Sequence, residues 1–161
     1  MRRLIHCFSY SLFLFLSFGC GGGGDQLPVI PVQGKVLLDG EPAAGAYIEF
    51  VPQNSTEAMR TMRPVSSVDE NGEFVLSTYA GGDGIPEGEY NVFVRWPTPD
   101  EMTEPDSYPE NWEALREIYG DPANPRFDVT IQKPDDSEID VIVIPAFELV
   151  SNAQALWAKS L

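Results

Sequence analysis

Histidine, cysteine and basic residues are scarce in this chain, and their positions make them scarcer still. Of 161 residues, one is histidine, His6, and two are cysteine, Cys7 and Cys20. All three lie in a stretch that starts with Arg2 and Arg3, runs on as an apolar segment from Leu4 to Phe18, and closes on Ser17-Phe18-Gly19-Cys20. A positive start, a short apolar middle and a small residue at the end make the layout of a cleaved secretory signal. The apolar run is about fifteen residues, short of the roughly twenty that span a bilayer as a helix. Removing residues 1–19 leaves no histidine and a single cysteine. Ser-His-Asp and Cys-His nucleophilic sites are then excluded, and so are zinc sites built on His and Cys. No disulfide can close within such a chain, although an exported protein meets conditions that allow one.

Positive charge is the next shortage. Ten Lys and Arg stand against 25 Asp and Glu, a formal charge of −15. Loss of Arg2 and Arg3 with the signal takes this to −17, because no carboxylate precedes Cys20. A chain this acidic does not bind nucleic acid by neutralising phosphates. Anionic lipid head groups repel it as well, so its membrane contact is expected to run through an anchor alone.

Cys20 supplies a candidate. A cysteine directly after a small residue at the cleavage point resembles the lipobox of bacterial lipoproteins, with Ser17 at the place usually held by Leu and Leu16 one position further back. The resemblance implies cleavage before Cys20 and two or three acyl chains on it, and two chains suffice for stable anchoring. The expected location is the cell envelope, exported and lipid-anchored to a membrane through Cys20, or secreted in soluble form if Cys20 is not lipidated. Residues 20–31 read as a tether: Gly21 to Gly24 is flexible by composition, and Pro28 and Pro31 stiffen its far end.

About 140 residues remain, enough for one domain. From Val32 onward the pattern is β. Strands are expected at Val32–Leu38, Ala46–Val51, Pro64–Val68, Glu73–Tyr79, Gly88–Trp96, Phe127–Gln132 and Ile139–Ile144. Asp39-Gly40 and Asp69-Glu70-Asn71-Gly72 are tight-turn signals. Seven short strands point to an all-β sandwich, with Val36, Ile48, Phe50, Phe74, Leu76, Tyr90 and Val92 as core. One stretch, 97–125, breaks the pattern. Ser107 and Glu110 form a capping box and Pro109 sits in the first turn of a helix. Trp112, Leu115 and Ile118 or Tyr119 recur at helical spacing, and Gly120 and Pro122 end it. This reads as a helical insertion packed on the sandwich from outside its core. Residues 150–161 form a C-terminal extension in which Ser151 caps a further short helix.

These residues also carry a family resemblance. Gly34-Lys35-Val36-Leu37-Leu38-Asp39-Gly40-Glu41-Pro42, Ala44-Gly45-Ala46, Asp69-Glu70-Asn71-Gly72-Glu73-Phe74 and Pro86-Glu87-Gly88-Glu89-Tyr90-Asn91-Val92 together resemble the carboxypeptidase regulatory-like, or transthyretin-like, domain of small bacterial lipoproteins. Tyr119 to Val129 and Pro145 to Leu149 resemble the same group. The resemblance spans residues 32–149 and implies a seven-stranded prealbumin-like, Greek-key β-sandwich with a short helical insertion. It implies no catalytic residues. In physical terms the motif consists of turn formers (Gly40, Gly45, Gly72, Gly88) and inward apolar positions, so nothing in it points outward to do chemistry. A fold shared this widely assigns no function by itself.

Carboxylates and aromatics are what is left to act. Asp100, Glu101, Glu104, Asp106, Glu110 and Glu113 form one acidic run, and Asp135, Asp136, Glu138 and Asp140 another. Each reads as solvated surface ahead of a calcium site. Trp96, Tyr108, Trp112 and Tyr119 either stack on sugars or cover the sandwich where the insertion docks. Three functions stay open. The first is a membrane-tethered, non-catalytic structural or protein-interaction module. The second is a carbohydrate- or peptide-binding module using the insertion and the loop Ala80 to Glu87. The third, a carboxylate-dependent hydrolase, requires a pair of carboxylates that no spacing here singles out. The sequence therefore leads us to expect no catalytic residue, no cofactor, no metal, lipidation at Cys20, and an envelope protein or glycan as partner.

Overall fold

The computed structural model describes residues 26–54, 56–57, 59–98, 108–133 and 141–151. The signal, Cys20 and the glycine run lie outside these residues, as do most of both acidic runs and all of the C-terminal extension beyond Ser151. Within them the chain is all-β with one helix. In order come β1 (Val32–Leu38), β2 (Glu41–Pro42), β3 (Tyr47–Pro52), β4 (Val65–Ser67), β5 (Glu73–Val75), β6 (Gly88–Arg95), α1 (Trp112–Tyr119), β7 (Phe127–Ile131), β8 (Ile142–Val143) and β9 (Phe147–Leu149).

The strands make two sheets. β1 is the spine of the first. β5 and β2 run antiparallel along one of its edges, and β8 and β9 run parallel along the other. The second sheet is wholly antiparallel in the order β4-β3-β6-β7. The local chemistry explains the hairpin between β1 and β2. Asp39 at φ 53° and Gly40 at φ 86° are both left-handed, the type I′ geometry that matches strand twist and that Asp-Gly favours. At the turn from β4 to β5, Asp69 Oδ1 accepts the N–H groups of Asn71 and Glu73 at 2.9 and 2.8 Å. Val65 and Ser77 exchange backbone hydrogen bonds at 3.2 Å, which stitches the two sheets along that edge.

Alternation places the core between the sheets. β1 buries Val32 and Val36, β3 buries Ile48 and Phe50, and β6 buries Tyr90, Val92 and Val94. All seven core residues expected from sequence are buried. The ring of Phe50 meets those of Phe74, Tyr90 and Phe147 at centroid distances of 6.3, 6.1 and 6.2 Å. Phe147 continues to Phe127, and Phe127 stacks on Tyr119 of α1.

Several expectations need correction. The strand expected over Glu73–Tyr79 is β5 alone; Ser77 bridges to Val65, and from Thr78 the backbone N–H groups turn toward Asp83. The final strand is Ile142–Val143 within the described residues. β9 was not expected: after Pro145 only three residues remain, too few for a periodic signal. The helix begins at Trp112, not at Ser107. Pro109 accepts the Trp112 N–H, and Asn111 makes no side-chain cap, giving its Nδ2 to the Ser151 carbonyl instead. Ser107 itself lies outside the described residues. The insertion is also not outside the core, since Leu115 and Tyr119 belong to the same buried cluster as the strands. Finally, residues 26–31 are not free tether. The Leu27 N–H donates to the Tyr79 hydroxyl at 3.0 Å, and Ile30 and Ile85 exchange backbone bonds at 2.9 and 3.0 Å. The apolar residues beside the prolines explain this, because Leu27 and Ile30 are half-buried and gain burial that a polar linker would not.

Candidate functional site

Strand direction divides the molecule into two poles. The near pole collects the strap 26–31, the loops 53–63 and 76–87, and the chain on either side of 134–140. The far pole collects the turns at Asp39 and Asp69, α1, and Val150. β6 runs from one to the other, and eight residues at about 3.3 Å each separate them by about 23 Å.

The near pole holds a cleft of 520 Å³ walled by the strap Leu27–Pro31, Met59 and Pro86, with Thr56, Glu87 and Lys133 at polar positions. Its floor is well fixed. The Tyr90 hydroxyl donates to the Pro86 carbonyl at 2.7 Å, and burial pushes that phenol up to about 12, with Tyr79 adding to the rise. Glu87 Oε1 accepts the Lys133 N–H at 2.7 Å. The far pole holds a more polar groove of 620 Å³ lined by Arg95, Thr98, Trp112, Glu113, Arg116 and Asp121, among others. A third hollow of 270 Å³ lies between β5 and β8 over Gly34 and Phe74.

The aromatic candidates separate on burial. Trp96 is fully buried, and its Nε1 donates to the Ala44 carbonyl at 3.2 Å. Tyr119 is buried, and its hydroxyl accepts the Val150 N–H at 2.9 Å. Neither presents a face to a sugar. Both cover the sandwich where the insertion docks, the second of the two roles open to them. Tyr108 and Trp112 are half-buried and pack on each other at 5.6 Å. The two parts of the expected binding module do not meet among the described residues: the loop Ala80–Glu87 is at the near pole and the described part of the insertion, with α1, at the far pole.

Three carboxylates are held below the ordinary value of 3.8, and each locks a turn. For Asp39 the cause is its bond from Ser151; for Asp69 it is chiefly the Glu73 N–H. Burial works to raise Asp83, but the N–H groups of Thr78, Tyr79 and Ala80, at 2.7, 2.9 and 3.0 Å, outweigh it. Asp83 is thus the organising residue of the 76–87 loop, supported by the bond from Thr78 Oγ1 to the Gly84 carbonyl at 2.6 Å. Its place in a Gly-rich stretch, Gly81-Gly82-Asp83-Gly84, was the available signal. A lowered carboxylate stabilises the fold above its unfolded pKa and loses that contribution as pH falls through its folded pKa. Acid titration should therefore leave the loop intact down to about 3.8 and release it below. Amide exchange at Thr78 to Ala80 reads this directly, and Asp83→Asn should abolish the step while speeding exchange at neutral pH.

Among the described residues no three His, Cys, Asp or Glu side chains converge on a point that would hold a metal ion. Glu110 and Glu113 are the only described members of the first acidic run; the second lies outside the described residues. No described helix is long and apolar enough to cross a membrane. Among known proteins, no family model, curated protein or solved structure matches this chain, so its function is argued from its own residues.

Proposed function

We propose that this chain is an exported, lipid-anchored, non-catalytic module of the bacterial cell envelope, with a structural or protein-interaction role, built on a prealbumin-like sandwich of the carboxypeptidase regulatory-like kind. The observation that carries this is the spacing at the start of the fold. Cys20, at the end of a secretory-type segment, stands seven residues before Leu27, where the chain is already bonded to the sandwich through Tyr79. A lipid on Cys20 holds a folded body at the membrane with almost no intervening chain. The two-sheet, one-helix architecture and the Asp-Gly hairpin agree with the fold named. The turn-locking role of Asp39, Asp69 and Asp83 accounts for the perturbed carboxylates without chemistry.

A carbohydrate- or peptide-binding role is the second reading. The far-pole groove favours it, because half-buried Trp112 lies there beside Arg95 and Glu113. Stacking on an aromatic edge with charged groups around it suits a polar ligand.

Intact mass of the mature N-terminus tests the first reading. The expected product starts at Cys20 and carries acyl chains, and Cys20→Ala moves the protein from the membrane to the soluble fraction. An unmodified Cys20, or a start beyond it, rejects the reading.

A further inference from the structure

The described surface is not uniform along the axis of the sandwich. Six large apolar side chains are exposed among the described residues, and four of them, Val75, Tyr79, Val141 and Val143, sit toward the near pole, while Val65, paired with Glu49, lies along the body of the second sheet. Val143 is 68 % exposed. Only Val150 is at the far pole. The apolar cleft between the strap, Met59 and Pro86 opens at the same end. Exposed valines grouped at one end of a soluble domain mark a surface that something covers.

The chain itself says what lies against that end. The strap enters the fold on the rim of the cleft, and seven residues back stands Cys20. Seven residues reach at most about 25 Å however they run. The far pole lies about 23 Å from the near one along β6, so Cys20 reaches it only if all seven residues run fully extended back along the sandwich, and a membrane that holds Cys20 lies closest to the near pole. We infer that the near pole rests on the bilayer, with the strap cleft and exposed Val75, Tyr79, Val141 and Val143 as its lipid contact, and that α1 and the far-pole groove point away from the membrane. This inference rests on the lipid-anchor reading.

Charge settles the nature of the contact. Arg60, Arg63 and Lys133 at this pole are outnumbered by Glu57, Asp83, Glu87 and Glu89, and Asp135, Asp136, Glu138 and Asp140 stand in the sequence between Lys133 and Val141, so no basic patch is there to seek anionic lipid. The contact is apolar and belongs to the interface, where valine, proline and methionine side chains and a tyrosine ring lose water among the head groups.

The test uses the lipidated full-length mature protein in vesicles of phosphatidylcholine containing brominated acyl chains. Once Cys20 carries its lipid, the mature chain has no other thiol, so a fluorophore on Val143→Cys or on Glu113→Cys reports one pole each. Quenching by the brominated lipid should be about threefold or more stronger at Val143→Cys, because an interfacial contact lies within roughly 10 Å of the acyl region. Val141→Cys and Asp121→Cys repeat the comparison at neighbouring positions in case one variant misfolds. Equal quenching at both poles, in protein whose mass shows the acyl chains, overturns this inference and leaves the anchor standing. A Val143 probe shielded from solvent but not quenched, with the protein crosslinking as a dimer, assigns the apolar ring to a second copy and also overturns it. An unmodified Cys20 overturns both readings together.

Discussion

Phe74→Ala should cost about 3–5 kcal/mol, the usual range for removing a buried phenylalanine ring. Phe74 is only 2 % exposed and sits between Phe50 at 6.3 Å and Phe147 at 6.3 Å, so its loss opens the centre of the aromatic chain. The surroundings are poorly placed to collapse into the gap. On the other side the ring lies over Gly34, where even a Cβ would come within 2.8 Å of it, and a glycine has no side chain to move into the space. Urea unfolding of the Cys20→Ala protein checks this: the midpoint should fall with the slope unchanged, the sign of lost stability and not of a changed unfolded state. Val143→Ala, on the exposed outer face of the same sheet, should stay within about 0.5 kcal/mol. A loss under about 1 kcal/mol for Phe74→Ala would mean the ring is not in the core, against the range expected for a buried ring.

Phe74 also shows why the strands were legible. Glu73-Phe74-Val75 alternates exposed, buried, exposed, and a period of two survives whatever the partner strand is. β1, β3 and β6 were readable for the same reason, and Asp39-Gly40 and Asp69 to Gly72 marked their turns by chemistry local to each. Where the information is not local, reading from sequence fails. β9 has three residues and is held by parallel pairing with Val36 to Leu38, more than a hundred positions earlier. The strap looked like linker because prolines and a glycine run precede the sandwich, yet Ile30 pairs with Ile85 across the fold. The helix start was misplaced because Asn111 is used by Ser151 forty residues away, a claim no capping pattern can anticipate.

The candidate site was less legible still. Aromatic residues near a helix read the same whether they face a ligand or fill a core. Trp96 is a buried indole with a backbone partner, and Tyr119 is a buried ring that ties α1 to Val150. Only three-dimensional packing separates them from Trp112. The apolar ring at the near pole escaped for the opposite reason. Val75, Val141 and Val143 each sit in strand-like surroundings where valine is expected. Their shared exposure becomes visible only when the end of β5 and the start of β8 pair with the start of β1.

Gly84→Ala should release the strap. Gly84 has φ +102°, a conformation that costs an L-residue on the order of 1–3 kcal/mol. The steric problem is worse. A Cβ there would fall 2.3 Å from the Ile30 carbonyl carbon and 2.6 Å from the Pro31 nitrogen, both backbone atoms with no side-chain freedom to yield. One of the two chains has to move. Loop 76–87 is held by Asp83 and by the Gly84 N–H donating to the Leu76 carbonyl at 3.0 Å, so the strap is the part that gives way. Its own bonds are few: two with Ile85, one with Tyr79 and one that the Pro31 carbonyl accepts from Ile142. The Ile30 and Ile85 amides should exchange at rates near those of an open chain, whereas amides of β3 and β6 keep their protection, which distinguishes a detached strap from general unfolding. The expected loss of global stability is about 3 kcal/mol, strain and strap contacts together. In lipidated protein the freed strap lengthens the link from Cys20 to the sandwich, now running to Val32, from seven residues to twelve, and quenching of a Val143→Cys probe by brominated lipid should fall accordingly. Unchanged protection at Ile30 and Ile85 in Gly84→Ala would show that the strap is not seated on Gly84.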